Sequence, residues 1–260
     1  MISTIRISDP TKTPIAWLPK VKFLSEPRDY EFTPGLNILW GKNGSGKSTL
    51  LRLIARLFHA EQGRVSTITQ HSLEELFGHF ADKKDRLAGV AVSHDGQGIV
   101  FYDPSDKVGL IGGGAAFDDD FFMAGVSSMM MKGSSGELTL NNLGSAMASI
   151  KDAKYVKPTY KVNKTQYSGD TRNKQIEVTE RFFEKDMEPG RTTVIFDEPD
   201  RSIDIPSQQQ MWNAFARFDK VQLIVATHSA FAANIPTANY IESSPGYLEQ
   251  CRKAIKTLGL

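Results

Sequence analysis

Apolar positions change their spacing along this chain, and each change predicts a different element. The first 34 residues carry five prolines, which favours short edge strands and turns over helices. Leu36–Trp40 is a largely apolar run and predicts a buried strand. From Thr49 the apolar residues recur at helical spacing and predict an amphipathic helix that ends by Gly63. Arg64–Thr69 then has the pattern of another strand.

Two further strand patterns flank a turn sequence in the first half of the chain. Ala88–Ser93 and Gly98–Tyr102 lie on either side of the segment His94–Gln97, which contains an Asp-Gly pair. An Asp-Gly pair between two apolar runs is typical of an antiparallel hairpin. The sequence therefore predicts that these two strands pair with each other.

Strands and helices alternate in the last third of the chain. Thr192–Phe196, Val221–Ala226 and Tyr240–Ile241 read as buried strands, and helices are predicted near 206–218 and over 247–256. This alternation indicates an α/β layered domain with a largely parallel sheet, to which the predicted hairpin adds an antiparallel β lobe. A Gly- and Met-rich stretch followed by helical patterns predicts a small helical lobe at approximately 112–190.

Composition narrows the class of protein without identifying it. A length of 260 residues fits a single domain over 1–260. Lys and Arg number 31 against 30 Asp and Glu, so net charge predicts no general attraction to nucleic acid or membrane. The single Cys251 excludes an intramolecular disulfide. No apolar run is long enough to span a membrane, and no secretory signal is visible, so we expect a cytoplasmic protein without membrane insertion.

The segment between the first buried strand and its helix fits the phosphate-binding pattern G-x-x-x-x-G-K-[ST]. Glycines allow backbone N–H groups to converge on phosphate oxygens, and the helix N-terminus adds its dipole. Lys47 would reach the β- and γ-phosphates, and the Ser48 hydroxyl would bind Mg²⁺. The motif predicts a nucleotide and Mg²⁺ as ligands, and the resemblance described below implies that the nucleotide is ATP. The nucleotide-binding residues are then Gly41, Asn43, Gly44, Ser45, Gly46, Lys47, Ser48 and Thr49.

The second motif is acidic and follows the buried run that starts at Thr193. Asp197 and Glu198 stand at the end of this strand, as in a Walker B element. Asp197 would hold Mg²⁺, directly or through water, and Glu198 would orient or deprotonate the attacking water.

The motifs that surround these acids resemble those of ATP-binding cassette (ABC) ATPases. Asp197–Asp204 is similar to a Walker B element with its D-loop, and Val225–Ser229 is similar to an H-loop that carries His228. Gly133–Glu137 resembles the signature motif in its S-x-G-E form, with Gly133 and Ser135 as departures from the usual pattern. The resemblance covers roughly residues 21–242, but the expected Q-loop glutamine is missing, and neither Gln70 nor Gln97 is assigned to it.

This resemblance implies an α/β P-loop NTPase with an ABC-type core sheet, an antiparallel β lobe and a helical lobe that carries the signature. It implies catalytic roles for Lys47, Glu198 and His228, and a D-loop role for Asp204. The signature would act in trans on the ATP of the opposite subunit, in a nucleotide-dependent, head-to-tail homodimer. Its residues are Ser134, Gly136 and Glu137.

Two classes of ABC protein remain open from the sequence. Three features favour a soluble, SMC/RecF-like AAA-family ATPase head without a coiled-coil arm, serving DNA repair, DNA maintenance or genome defence. They are the S-x-G-E signature, the missing Q-loop glutamine, and the strand and helix that follow His228. The alternative is the nucleotide-binding subunit of an ABC membrane transporter. The segment 151–174 has seven basic and two acidic residues interleaved with tyrosines, a mixture found in nucleic-acid contacts. A solvated loop or a site for a protein effector is the other interpretation of that segment.

Overall fold

The structure is a computed structural model. It describes residues 1–12, 17–57, 60, 65–66, 89–95, 97–103, 192–219 and 221–257. The predicted helical lobe at approximately 112–190, with its signature residues Ser134, Gly136 and Glu137 and the basic segment 151–174, lies outside the described residues.

The described elements follow the predicted alternation closely. The strands are β1 (Ile2–Ile7), β2 (Arg28–Glu31), β3 (Leu36–Trp40), β4 (Val65–Ser66), β5 (Val90–His94), β6 (Ile99–Tyr102), β7 (Thr193–Asp197), β8 (Gln222–Ala226) and β9 (Asn239–Glu242). The α-helices are α1 (Lys47–Leu57), α2 (Ile205–Arg217) and α3 (Tyr247–Thr257), and short 3-10 helices span Leu18–Lys20 and Ala230–Asn234. Among the described residues, no helix combines the length and the apolar character needed to cross a bilayer.

Two sheets organise the described chain. The larger has the order β4-β6-β7-β8-β3-β9, in which only the β4–β6 pair is antiparallel. The smaller is antiparallel, with the order β2-β1-β5. Strands β3, β7 and β8 are buried along their whole length, as expected for parallel strands covered on both faces. This arrangement confirms the α/β class and is consistent with a P-loop NTPase.

The predicted hairpin is wrong. β5 pairs with β1 in the antiparallel sheet, whereas β6 pairs with β7 and β4 in the larger sheet. The burial patterns give the reason, because β5 alternates between buried and more exposed positions while β6 is buried at every position. Half-buried and fully buried strands have different surroundings, so the two runs fit different sheets. The segment that contains the Asp-Gly pair therefore connects two sheets.

Two hydrophobic clusters fill the space on the two faces of the larger sheet. One cluster packs α1 and the antiparallel sheet against side chains such as Ile195 and Ile224. The other packs α2 and α3 against the alternate side chains of the same strands, such as Phe196 and Val225. Alternation of side chains along each strand thus places the larger sheet as a middle layer. Helix α1 packs against this sheet, which positions the loop that precedes α1.

Candidate functional site

The carboxyl ends of β3, β7 and β8 lie next to one another, because these strands are neighbours and parallel. The loops that follow them border an open cleft of about 1240 Å³. Ligands of open α/β sheets bind at this edge. The cleft is lined by the predicted residues of the phosphate loop from Asn43 to Thr49, and by Glu198 and His228. It is also lined by residues that the sequence did not indicate, among them Lys20, Val21, Lys22, Asp200, Gln208 and Tyr247.

The phosphate loop has the backbone geometry that its glycines predict. Gly44 and Gly46 have φ angles of +71° and +104°, which L-residues rarely adopt. A Cβ at Gly46 would lie 2.4 Å from Cγ1 of Val21, so this glycine also permits the close approach of the segment that precedes β2. The Ser45 and Ser243 hydroxyls are 2.7 Å apart, which braces the loop from the end of β9.

Lys47 lies buried at the floor of the cleft. Its ammonium group donates to the carbonyl oxygens of Gly41 (3.0 Å) and Lys42 (3.2 Å) and lies 2.8 Å from Nε2 of His228. Because an ammonium group can only donate, His228 accepts through Nε2 and is neutral. Partial burial and the charge of Lys47 both lower the pKa of His228, which agrees with a neutral ring. Burial also lowers the pKa of Lys47, against the opposing effects of Glu198 and Asp197.

Ser48 and Asp197, the two predicted Mg²⁺ ligands, are in direct contact. The Ser48 hydroxyl donates to Oδ1 of Asp197 at 2.8 Å. Asp197 is only 5% exposed, and burial raises its pKa to about 6, against the hydrogen bond from Ser48. A buried carboxylate beside a hydroxyl suits a hard cation, which prefers oxygen ligands and would compensate the burial of charge. These residues fit Mg²⁺.

Glu198 has a strained backbone. Its φ angle is +51°, in the left-handed region that non-glycine residues occupy uncommonly. Its N–H group donates to the carbonyl of Ala226 at 2.9 Å, which continues the pairing of β7 with β8. Strain of this kind costs on the order of 1–3 kcal/mol and persists where surrounding contacts impose it. The geometry turns the Glu198 carboxylate into the cleft, near Lys47 and Asp197.

Asp204 serves as the N-cap of α2. Its carboxylate accepts from the Ser207 N–H (2.9 Å) and the Ser207 hydroxyl (2.7 Å). These hydrogen bonds satisfy a free donor at the helix start. The predicted D-loop role of Asp204 toward a second subunit stays a prediction.

Sequence reasoning missed the polar contacts that two further acids make at or near the cleft. Asp200, within the acidic motif, accepts hydrogen bonds from Thr227, which precedes His228. Asp103, directly after β6, forms an ion pair with Arg52 of α1 at 3.0 Å. Each partner is remote in sequence, so the only available signal was that each acid lies close behind a buried strand.

Of the two glutamines considered for a Q-loop, the structure describes only Gln97. Gln97 precedes β6 and lies at the end of the sheet away from the cleft, because β6 runs parallel to β7. It is also buried, so it cannot reach the phosphate loop. Gln70 lies outside the described residues.

Comparison with known protein families agrees with the P-loop NTPase class that the fold indicates. The family model of the ABC transporter ATPases, described as "ABC transporter", matches residues 33–100, which include β3, the phosphate loop and α1. No curated protein matches this chain. The family match and the site together support an ATP-binding, ABC-type ATPase.

Proposed function

We propose that this chain is a soluble, SMC/RecF-like ABC-type ATPase that hydrolyses ATP with Mg²⁺ at the interface of a head-to-tail homodimer. The observation that carries the proposal is the convergence of three loops on one cleft. Lys47, His228 and Glu198 come from the ends of different strands and meet there. Its cellular role would be DNA repair, DNA maintenance or genome defence with a partner protein.

The residues of the cleft divide the work of hydrolysis. The phosphate-loop N–H groups and Lys47 bind the β- and γ-phosphates and stabilise the charge that develops on them. Mg²⁺, held by Ser48 and Asp197, would neutralise the phosphate oxygens. Glu198 accepts a proton from water as the water oxygen bonds to the γ-phosphorus and the bond to ADP breaks. His228, neutral at Nε2, would help to hold the water and Glu198 in line.

A second subunit completes the site in this proposal. The Ser134 hydroxyl and the Gly136 N–H of the signature would donate to the γ-phosphate of the opposite subunit, at about 1.5–3 kcal/mol per charged hydrogen bond. Association itself costs on the order of 4–15 kcal/mol, so a few such bonds only offset it. The dimer would therefore depend on bound ATP. Ile205, next to Asp204, is 70% exposed and is the one large hydrophobic side chain that the described residues expose, which supports a contact surface there.

The transporter alternative rests on the description of the matching family. Two features favour the DNA-related class over it. The chain passes from β9 into α3 without a further hairpin. The residue directly after β6 is Asp103, a carboxylate, where a transporter would begin its glutamine-containing coupling loop.

Replacing Glu198 by Gln tests the proposal directly. E198Q keeps the shape of the site but removes the proton acceptor, so turnover should fall by roughly 10²–10⁴-fold while ATP binding is retained. With ATP and Mg²⁺ the variant should accumulate as a dimer, measured by size-exclusion chromatography with light scattering. E249Q, the same change at an exposed position of α3, is the control and should behave as wild type. A monomeric E198Q at saturating ATP would contradict the trans site.

A further inference from the structure

Four residues at the cleft form a closed ring of hydrogen bonds through side-chain and main-chain groups. The Thr227 hydroxyl contacts both carboxylate oxygens of Asp200, at 2.8 and 3.0 Å, and accepts from the Ser229 N–H at 2.9 Å. The Ser229 hydroxyl donates to Oε1 of Gln208 at 3.1 Å. The Gln208 side-chain amide donates to the Asp200 carbonyl (3.3 Å), which closes the ring, and to the Ile203 carbonyl (3.0 Å).

This ring, which we call the Asp200 ring, joins the loops that carry Glu198 and His228, two polar residues that line the cleft. Glu198 lies two residues before Asp200, and His228 lies between Thr227 and Ser229. The third element is α2, through Gln208. A shift of either loop would therefore break hydrogen bonds that hold the other.

The polar groups of the Asp200 ring are largely buried. Burial of polar groups is unfavourable, and the hydrogen bonds within the ring offset it. Asp200 and Ser229 are each 8% exposed and Thr227 is fully buried. Burial raises the pKa of Asp200, and the hydrogen bond from Thr227 opposes that shift. A polar group buried without a partner is unfavourable, so Asp200 and Thr227 each constrain where the other can lie.

Backbone strain concentrates on the same loop. Glu198 and Ser202 are the described non-glycine residues with positive φ, at +51° and +64°, and they flank Asp200. Strained conformations persist only when neighbouring contacts impose them. The Asp200 ring supplies those contacts, since it holds the carbonyls of Asp200 and Ile203 as well as the carboxylate.

We propose that Asp200 and Thr227 are positioning residues for ATP hydrolysis, which set Glu198 and His228 relative to each other. Thr227 is fully buried and Asp200 is only 8% exposed at the cleft, so we expect both to act through Glu198 and His228. The inference rests on the proposed function, and it adds a prediction that the known motifs do not contain: catalysis should depend on a hydrogen bond between two loops. Small misplacements of catalytic groups can lower a rate by about 10²-fold.

Paired substitutions separate the hydrogen bond from the mere presence of a side chain. T227V keeps the shape and loses the hydroxyl, and D200A loses the acceptor. Each should lower kcat by about 10- to 100-fold and leave the Kd for a fluorescent ATP analogue nearly unchanged, because the loss lies in the transition state. T227S keeps the hydroxyl and D200N keeps an acceptor oxygen, so both should restore most of kcat.

T193V is the matched structural control. Thr193 is fully buried at the opposite end of β7, and its hydroxyl donates to Gln222 at 2.8 Å. T193V also removes a buried hydroxyl, so the melting temperature of the variant should fall as it does in T227V. The kcat of T193V should stay at the wild-type value. Equal kcat losses in T193V and T227V would reduce the effect to stability and overturn the inference.

Hydrogen exchange provides a readout that needs no turnover. T227V should increase amide exchange both in its own loop and in the loop 198–204, and T193V should do neither. Unchanged exchange over 198–204 would overturn the coupling between the loops. A wild-type chain that hydrolyses ATP beside an unaffected T227V overturns this inference alone, whereas a wild-type chain without turnover overturns the proposed function.

Discussion

Asp197 is the residue at which stability and function conflict most clearly. It lies buried at the end of β7 with one hydrogen bond, from Ser48. An ionised carboxylate in such surroundings is unfavourable unless a cation joins it. Burial raises the pKa of this carboxyl, as expected for a residue that the proposed function makes a ligand of Mg²⁺.

The stability of the metal-free chain should therefore depend on Asp197. Its pKa is about 6 in the folded chain, against 3.8 as the ordinary value. The folded state holds the proton more tightly, so the destabilisation is absent below pH 4, grows between pH 4 and 6, and is complete above pH 6. A shift of this size corresponds to about 3 kcal/mol. D197N should remove the effect and raise the free energy of unfolding at pH 7.5.

Urea unfolding at pH 5 and pH 7.5 in the presence of EDTA measures this prediction. The difference between wild type and D197N should be larger at pH 7.5 than at pH 5. Excess Mg²⁺ with ATP should reduce it, because a bound cation compensates the carboxylate. A D197N chain that is less stable than wild type at pH 7.5 would contradict the argument.

At the scale of elements, Gln222 connects the two sheets. Its side chain is fully buried at the start of β8 and accepts from the Ile2 N–H and the Thr193 hydroxyl, both at 2.8 Å. Its amide donates to the carbonyls of Ile2 (2.7 Å) and Thr33 (2.8 Å). One glutamine thus satisfies polar groups of β1, β7 and the turn before β3, at a seam where no strand pairing is available.

Q222L should destabilise the chain strongly. Leucine has a similar size but leaves several buried donors and acceptors unpaired, each of which costs about 1–3 kcal/mol before relaxation. We expect a loss of about 2–4 kcal/mol in the free energy of unfolding, measured by urea denaturation. Q209L, at an exposed position of α2, is the control and should change it by less than about 0.5 kcal/mol. Equal stabilities of the two variants would show that the seam contributes nothing.

At the scale of the whole molecule, the question is whether two copies share the site. Specific activity should rise with protein concentration if hydrolysis requires a dimer. Burial of an isoleucine contributes about 1.5–3 kcal/mol, so I205S should move that rise to concentrations roughly 10- to 150-fold higher. Ile205 is exposed in the single chain, so the melting temperature of I205S should be the same as that of the wild type. Activity that is independent of concentration in both chains would exclude the dimer.

Duplex DNA at low salt distinguishes the two functional classes in the same assay. Stimulation that weakens with added salt supports the DNA-related role, because contacts to phosphates release counterions. Turnover that depends on concentration but ignores DNA leaves the ATPase in place and directs the search to a protein partner.

Local patterns in the sequence determined the elements and the residues of the phosphate site. The glycine spacing of the phosphate loop, the acids at the end of β7 and the histidine after β8 are each visible within a few residues. Parallel strands bring such residues to one edge by rule, and in the structure Lys47 contacts His228 and Ser48 contacts Asp197.

The tertiary structure alone decided how distant segments pair. An Asp-Gly turn predicts a hairpin, yet β5 and β6 enter different sheets because each finds a partner far away in the sequence. The Asp200 ring joins two loops and a helix, and the seam at Gln222 joins strands that are far apart in the sequence. A local pattern reports whether a residue is buried or polar, but it carries no information about which remote group satisfies it, and that choice is made by packing.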